Sequence, residues 1–262
     1  MAPNETLGDS SQIEALSAAS SVNMADQWYE HATPDHFWMQ WRLKVLLDVT
    51  SKFELGDKLL EIGCGSCVAR DQLENALSLP IDACDLNLHS LQLAGPARGR
   101  LYVYDIFDQR AEWQNHFSSI FLLDTLEHID EPAAFLNAIR YHLRPGGYLV
   151  INVPALQPLY SAYDSIAGHV KRYTKSLLSS ELQSGGFKLV ESRYWGISMI
   201  PVLSLRKAMG KIWNRDKVIA NGFQPSSTTD AILRSLMNVE RSVTRNPVLG
   251  TSLTAVARKD HD

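Results

Sequence analysis

The sequence lacks the features that would place the protein in a membrane, in a secretory route or on a nucleic acid. It has no apolar run of 18 or more residues, and its start, MAPNETLGDSSQ, lacks the basic residues and apolar core of a secretory signal. Its formal net charge is -4 and its pI is about 6.1, whereas phosphate-backbone binding needs clustered lysine and arginine. We therefore expect a cytoplasmic protein with no transmembrane segment and no nucleic-acid substrate.

Cysteine is also scarce. The three cysteines, Cys64, Cys67 and Cys84, are too few for a disulfide framework. Cys64 and Cys67 form a C-x-x-C pair, which occurs in thiol redox sites and in halves of zinc sites. No second C-x-x-C and no paired histidines accompany it. The sequence therefore does not favour a redox pair, and we expect no metal.

The chain has the composition of an ordinary globular protein. Of its 262 residues, 45% are hydrophobic and 21% are charged, which is enough to bury a sizeable core. Residues 1–25 contain few large apolar groups and predict a flexible arm with a short helical piece over residues 12–19. Residues 26–262 are expected to form one domain. In residues 26–50, aromatic and aliphatic side chains recur at helical spacing, which predicts an N-terminal cap helix.

The stretch KLLEIGCGSC, residues 58–67, organises the rest of the chain. Its apolar run predicts a buried strand, and Gly63 and Gly65 allow a sharp turn with close approach of the backbone to a ligand. A dinucleotide-binding G-x-G-x-x-G/A fingerprint would require a small residue where Val68 stands, and it gives no role to Glu61. An NAD-dependent dehydrogenase is therefore an alternative that the residues disfavour.

Acidic residues then recur at the ends of predicted strands: Glu61, Asp85, Asp105 and Asp124, each about 20 residues after the last. Strands and helices that alternate at this spacing predict a parallel sheet with right-handed crossovers. The carboxyl ends of parallel strands lie at one edge, so the four acids should line one cleft. In the fourth helix, Asp130 is the expected N-cap and Pro145–Gly147 the expected stop.

Three motifs carry a family resemblance. The arrangement E-x-G-x-G at residues 61–65, the segment LLDTLEHIDEP at 122–132 and the segment LRPGGYLVINVP at 143–154 resemble motifs of the class I S-adenosylmethionine-dependent methyltransferases. The resemblance implies an α/β fold, Rossmann-like and doubly wound, with a seven-stranded, mostly parallel sheet and helices on both faces. It also implies S-adenosylmethionine as the cofactor. Cys67 departs from the pattern, since many family members have a third glycine there.

Roles for individual residues follow from this resemblance. Asp85 has the position of the acid that accepts hydrogen bonds from ribose hydroxyls, and Asp105 with Ile106 looks like the adenine site. Arg42, in the segment HFWMQWR, is the candidate partner of the cofactor's carboxylate. His128 either contacts a ligand or only braces its loop. The full expected cofactor set is Glu61, Gly63, Cys64, Gly65, Asp85, Leu86, Asp105, Ile106, Leu123, Asp124, His128 and Arg42.

The acceptor side is expected in the loop GHVKRYT, residues 168–174, which resembles a loop of bacterial family members. His169 is the candidate general base, because methyl transfer to a hydroxyl or a protonated amine requires removal of a proton. The expected substrate-binding residues are Tyr160, Tyr163, Asp164, Arg172 and Tyr173. The alternative for each of them is a loop held together by its own hydrogen bonds.

Residues 196–247 form an insertion before the last strand, with an apolar first half that contains interspersed basic residues. We expect an α-helical lid that packs on the core or on a second copy in a homodimer, and peripheral membrane contact is the less favoured interpretation. The sequence as a whole predicts in-line transfer of a methyl group to an oxygen or nitrogen of a small-molecule acceptor. A non-catalytic cofactor-binding regulatory or assembly subunit is the alternative from another class.

Overall fold

The centre of the protein is one mixed β-sheet. The computed structural model describes residues 13–20, 33–209, 227–244 and 246–260. In these ranges the strands are β1 Ile13–Ala15, β2 Leu59–Ile62, β3 Ile81–Asp85, β4 Leu101–Val103, β5 Phe117–Leu123, β6 Leu143–Pro154, β7 Phe187–Trp195 and β8 Ser252–Lys259. Their order across the sheet is β1-β4-β3-β2-β5-β6-β8-β7. All neighbouring pairs from β1 to β6 are parallel, and β8 is antiparallel to both β6 and β7.

Helices cover both faces of this sheet. They are α1 Phe37–Thr50, α2 Val68–Leu77, α3 Leu88–Gln92, α4 Pro132–His142, α5 Ala162–Ile166, α6 Lys175–Ser184, α7 Ile200–Met209 and α8 Ser227–Val243. The central strands β2 and β5 are buried along their whole length, as expected for strands between two helical layers. The doubly wound α/β fold predicted from the sequence is therefore confirmed.

The strand count differs from the expected seven. Residues Ile13–Ala15 form an eighth strand in parallel register with Leu101–Val103, where the sequence predicted a short helical piece. That prediction was wrong because β4 is otherwise an edge strand, and its unpaired backbone groups provide hydrogen-bond partners for a passing segment. The rest of the predicted arm, residues 1–12 and 21–25, lies outside the described residues.

Helix α4 begins and ends at residues that differ from the predicted ones. Helix α4 has Glu131 at its N-cap, one residue later than the predicted Asp130. It ends at His142, and β6 begins at Leu143 because Leu143 already pairs with Phe117 of β5. Pro145–Gly147 therefore lies within β6 and does not stop the helix. Helix α6 begins at a side-chain cap, with the Thr174 side chain accepting a hydrogen bond from the Leu177 amide.

The predicted cap helix and the insertion pack together on one face. Trp41 and Val49 of α1 belong to the same buried cluster as Leu233 and Met237 of α8. The α8 helix therefore buries one apolar face on the core, and its role as a lid stays a prediction. Among the described residues, no helix combines the length and the apolar character that crossing a membrane requires.

Candidate functional site

The glycine loop after β2 is fixed by two close contacts. Gly63 has φ +71°, and a Cβ atom at this position would lie 2.6 Å from Thr125 Oγ1, so a side chain would collide with the loop after β5. The Gly65 amide donates a 2.8 Å hydrogen bond to Asp85 Oδ2, while Asp85 Oδ1 accepts one of 2.8 Å from the Asn87 amide. The acid that ends β3 therefore holds the loop that follows β2.

Cys67 stands where many members of the family have a third glycine, and its backbone conformation shows why glycine suits this position. It has φ +65°, in the left-handed region that favours glycine, and it is the N-cap of α2. The Cys64 and Cys67 sulfurs lie 3.4 Å apart, and both side chains are buried. Burial raises the pKa of the Cys64 thiol well above its usual value, so the group is a protonated thiol at neutral pH.

Glu61 lies beneath the glycine loop in a nearly inaccessible position. Burial raises the pKa of Glu61 to about 8, against the opposing charges of Arg42 and Arg70. Its Oε2 atom makes no hydrogen bond among the described residues. With this pKa, Glu61 is mainly a neutral carboxylic acid at pH 7 in the ligand-free protein, and a cationic donor on a ligand would favour the carboxylate that accepts its hydrogen bond.

Asp124, at the end of β5, is held from two sides. Arg42 donates from Nη1 to Asp124 Oδ2 at 2.5 Å, and Asn152 donates from Nδ2 to Oδ1 at 2.7 Å. The Asn152 oxygen in turn accepts hydrogen bonds from Trp195 Nε1 and Thr254 Oγ1. Arg42 thus contacts an acid of the site, and its pairing with a ligand carboxylate stays a prediction.

The predicted adenine region contains residues that sequence reasoning missed. Asp105 Oδ1 accepts a 2.9 Å hydrogen bond from the Phe107 amide, and Ile106 is buried in the core. The Phe107 ring is 54% exposed, so it offers an accessible aromatic surface that Ile106 does not. Ser17 of the arm accepts a hydrogen bond from the Asp105 amide at 2.9 Å. The arm strand has only three residues, and a sequence pattern this short does not predict the contact between the arm and Asp105.

Asp164 organises the loop after α5. Its Oδ1 atom lies 3.0 Å from His169 Nδ1 and 2.7 Å from Arg172 Nε. Burial alone would raise the pKa of Asp164, but the hydrogen bonds and charges of these two partners lower it to about 2. Asp164 is therefore ionised at neutral pH, and His169 donates to it from Nδ1.

Glu127 is another residue that sequence reasoning did not place in the site. It is completely buried, and neither carboxylate oxygen has a hydrogen-bond partner among the described residues. Burial and the nearby charge of Asp124 raise its pKa well above the usual value. Beside it, burial and His169 lower the pKa of His128 to about 4, so His128 is neutral at pH 7. The His128 and His169 rings meet edge to face with centroids 4.9 Å apart.

The comparisons with known proteins decide the family. The family profile described as "Methyltransferase domain" (Methyltransf_23) matches residues 29–192, more than half of the chain. The chain belongs to this methyltransferase family. The match confirms the resemblance seen in the motifs around Gly63, Glu127 and Pro145.

Relatives of this methyltransferase domain agree with that assignment. A ubiquinone biosynthesis O-methyltransferase of Xanthomonas euvesicatoria pv. vesicatoria (strain 85-10) is 28% identical over 141 residues, which cover 49% of this chain and 56% of that protein. The chain thus spans about half the length of the curated relatives it matches.

Solved structures show the same fold. A Haemonchus contortus phosphoethanolamine N-methyltransferase 2 in complex with S-adenosyl-L-methionine has a TM-score of 0.53 and 18% identity, covering 83% of this chain and 52% of that one. The [4+2]-cyclase SpnF has a TM-score of 0.55 and 15% identity, covering 88% and 86%.

Three of the predicted substrate-binding residues of this methyltransferase domain are buried and hydrogen-bonded within the protein. Tyr173 is fully buried, and its hydroxyl lies 2.9 Å from Glu181 Oε2 and 3.3 Å from the Leu126 carbonyl oxygen. Asp164 is also buried, and Arg172 is nearly so. These three side chains thus make hydrogen bonds within the protein, as the alternative of a self-supporting loop expects, and a role for them in substrate binding stays a prediction.

The remaining two tyrosines lie at the edge of this loop. Tyr160 donates from its hydroxyl to the His169 carbonyl oxygen at 2.6 Å. The guanidinium of Arg206, from α7, lies 4.3 Å above the Tyr163 ring, within cation–π range. Arg206 is thus a further residue near the acceptor loop, and the insertion that carries it gave no motif by which to find it.

Proposed function

We propose that the protein is an S-adenosylmethionine-dependent methyltransferase that acts on an oxygen or nitrogen of a small molecule by in-line displacement. The observation that carries the proposal is the hydrogen bond between Gly65 and Asp85. It joins the turn after the first central strand to the acid that ends the next strand. Parallel α/β sheets bind nucleotide-like ligands at this edge, where the strand order reverses.

The residues present fit this cofactor. Asp85 and Asp105 would accept hydrogen bonds from its ribose and adenine groups. Oε2 of Glu61, which has no partner among the residues described, would accept one from its ammonium group. When bound, S-adenosylmethionine supplies a methyl group activated by a positively charged sulfur. The chain itself needs to align the acceptor, exclude water and receive a proton.

The proposed acceptor class is supported by the names of similar proteins and by the hydrogen bonding of His169. The Xanthomonas relative is named an O-methyltransferase and the Haemonchus neighbour an N-methyltransferase. Asp164 holds the proton of His169 on Nδ1, which leaves a lone pair on Nε2. When no metal ion is bound beside it, His169 Nε2 is therefore the atom that takes the proton from the hydroxyl or amine to be methylated.

Fold alone does not fix the reaction, since one neighbour of this fold is named a [4+2]-cyclase. The experiment is titration calorimetry of the purified chain with S-adenosylmethionine, S-adenosylhomocysteine and NAD. We expect the two sulfur compounds to bind and NAD not to bind. Binding of NAD alone would favour the dehydrogenase alternative. Binding of the sulfur compounds without methyl transfer to any hydroxylated or amine acceptor would favour the regulatory subunit.

The residue-level test is Asp85→Ala, with Asp82→Ala as the control on the same strand. Loss of a charged acceptor should weaken binding of S-adenosylhomocysteine by about 10- to 100-fold. Asp82 accepts a hydrogen bond from the Arg100 amide away from the glycine loop, so its replacement should leave binding unchanged. Equal affinities for Asp85→Ala and the wild type would remove Asp85 from the site.

Two further expectations concern the oligomeric state and the cellular location of the protein. A homodimer would cover the apolar stripe that α8 exposes, Ile232, Leu236, Val239 and Val243. Light scattering at several concentrations tests this state, and Leu236→Glu should then yield monomers. A cytoplasmic location stays a prediction from the sequence.

A further inference from the structure

Three side chains that can bind a metal converge between the turn after β5 and the predicted acceptor loop. Glu127 and His128 belong to the short 3₁₀ turn Leu126–His128 after β5, and His169 belongs to the loop after α5. One ligand atom from each lies within 4.8 Å of the others. The two loops are tied together, since the Val170 amide donates to the Glu127 carbonyl oxygen at 2.8 Å. The arrangement is therefore held by the backbone.

The environment of Glu127 distinguishes this cluster from a chance grouping of ionisable side chains. Its carboxylate is completely buried, and neither oxygen accepts a hydrogen bond among the described residues. The Oε1 atom lies 3.8 Å from His169 Nε2, so the carboxylate is directed into the cluster. This distance is too long for a hydrogen bond. Two ligand atoms that share one metal ion, each at about 2.1 Å from it, lie about 3 to 4 Å apart.

His169 is oriented as metal-binding histidines usually are. Its Nδ1 donates to Asp164, which also accepts from Arg172, so the ring is fixed and the lone pair of Nε2 points away from Asp164. A carboxylate behind the distal nitrogen of a ligating histidine sets the tautomer and the ring orientation. The same Nε2 atom is the one nearest Glu127 Oε1.

We propose that Glu127, His128 and His169 bind one divalent transition-metal ion, with Zn²⁺ and Co²⁺ as the ions best matched to two imidazoles and one carboxylate. Three protein ligands leave a coordination position open, as in catalytic zinc sites. This inference rests on the proposed function and deepens it, because His169 belongs to the loop predicted to contact the acceptor.

The ligand for the open position is a hydroxyl group of the methyl acceptor. Coordination would polarise its O–H bond, the proton would leave to solvent water, and the electron pair would stay on the oxygen. That oxygen would form the new bond to the methyl carbon as the bond from the methyl carbon to sulfur breaks, and the sulfur would keep that bond's electron pair and leave as S-adenosylhomocysteine. In this state the Nε2 lone pair of His169 is used by the metal, so His169 is a ligand and not the base. The acceptor class is thereby narrowed to hydroxylated molecules.

The test is calorimetric titration of the chelator-treated full chain with ZnCl₂, CoCl₂ and MgCl₂, without cofactor or acceptor. We expect one equivalent of Zn²⁺ or Co²⁺ per chain and weaker binding of Mg²⁺. Glu127→Gln and His169→Ala should each weaken Zn²⁺ binding at least about 100-fold. His116→Ala is the matched control, since His116 is exposed at the opposite end of β5 and should leave binding unchanged.

A second measurement uses only the wild type, so it tests the inference even if the variants fail to fold. Nitrogen chemical shifts of the histidine rings, recorded with and without one equivalent of Zn²⁺, should change for two histidines. No Zn²⁺ or Co²⁺ binding by the wild type, or an equal loss in His116→Ala, would overturn the inference. Binding of S-adenosylhomocysteine without metal binding would overturn this inference alone. Metal binding without S-adenosylhomocysteine binding would overturn the proposed function.

Discussion

Asp164 and His169 are joined by a 3.0 Å hydrogen bond between Oδ1 and Nδ1 in a loop that packs against the end of β5. Because Asp164 is ionised, the hydrogen of the neutral imidazole is on Nδ1 and the lone pair is on Nε2. One hydrogen bond thus decides which nitrogen of His169 is available for chemistry. Both the base and the metal-ligand interpretation depend on this atom.

Replacement of His169 by alanine should lower turnover of an acceptor by about 10²- to 10⁴-fold, the range usual for loss of proton-transfer catalysis. Affinity for S-adenosylhomocysteine should stay at the wild-type value, since the ring lies on the acceptor side. Initial rates and calorimetry measure the two quantities. His116→Ala serves as the control for loss of a histidine. Full activity in His169→Ala would exclude both roles.

Glu61 should make the stability of the cofactor-free protein depend on pH. Its pKa is about 8 in the folded state and near 4.5 in the unfolded chain, so between these values the folded state binds more protons. The free energy of unfolding should therefore fall as pH rises from 4.5 to 8, by as much as about 5 kcal/mol. Denaturant unfolding of Glu61→Gln should lack this fall.

The control for that experiment is Glu54→Gln, because Glu54 is exposed. Its unfolding free energy should follow the wild type at every pH. Parallel pH curves for the wild type and Glu61→Gln would show that Glu61 is ionised in the folded state.

A side chain at position 63 should disrupt the glycine loop. Gly63→Ala forces a positive φ on alanine and brings Cβ to 2.6 Å from Thr125 Oγ1, so we expect a loss of about 1–3 kcal/mol in unfolding free energy. Gly63→Ala combined with Thr125→Ala should recover the steric part of this loss and leave the backbone part. Additive losses in the double variant would show that the two residues do not collide.

Much of the fold could be predicted because it depends on local patterns. The apolar run before Gly63, the acids at the ends of the strands and the cap at Thr174 are all readable within a few residues. The arm strand and the start of β6 could not be predicted in this way. Each depends on a neighbouring strand, through Leu101 in one case and Phe117 in the other.

The sequence by itself determined the order of strands and helices, the glycine turn and the set of acids at one edge of the sheet. Only the tertiary structure decided that Glu127 is buried with no hydrogen bond from any residue that the structure describes, that His169 lies beside it, and that Tyr173 is inside the core. Local propensity acts between residues close in sequence. Burial and the pairing of charges depend on which distant segments pack together, and the loop after α5 meets the turn after β5 only in the folded chain.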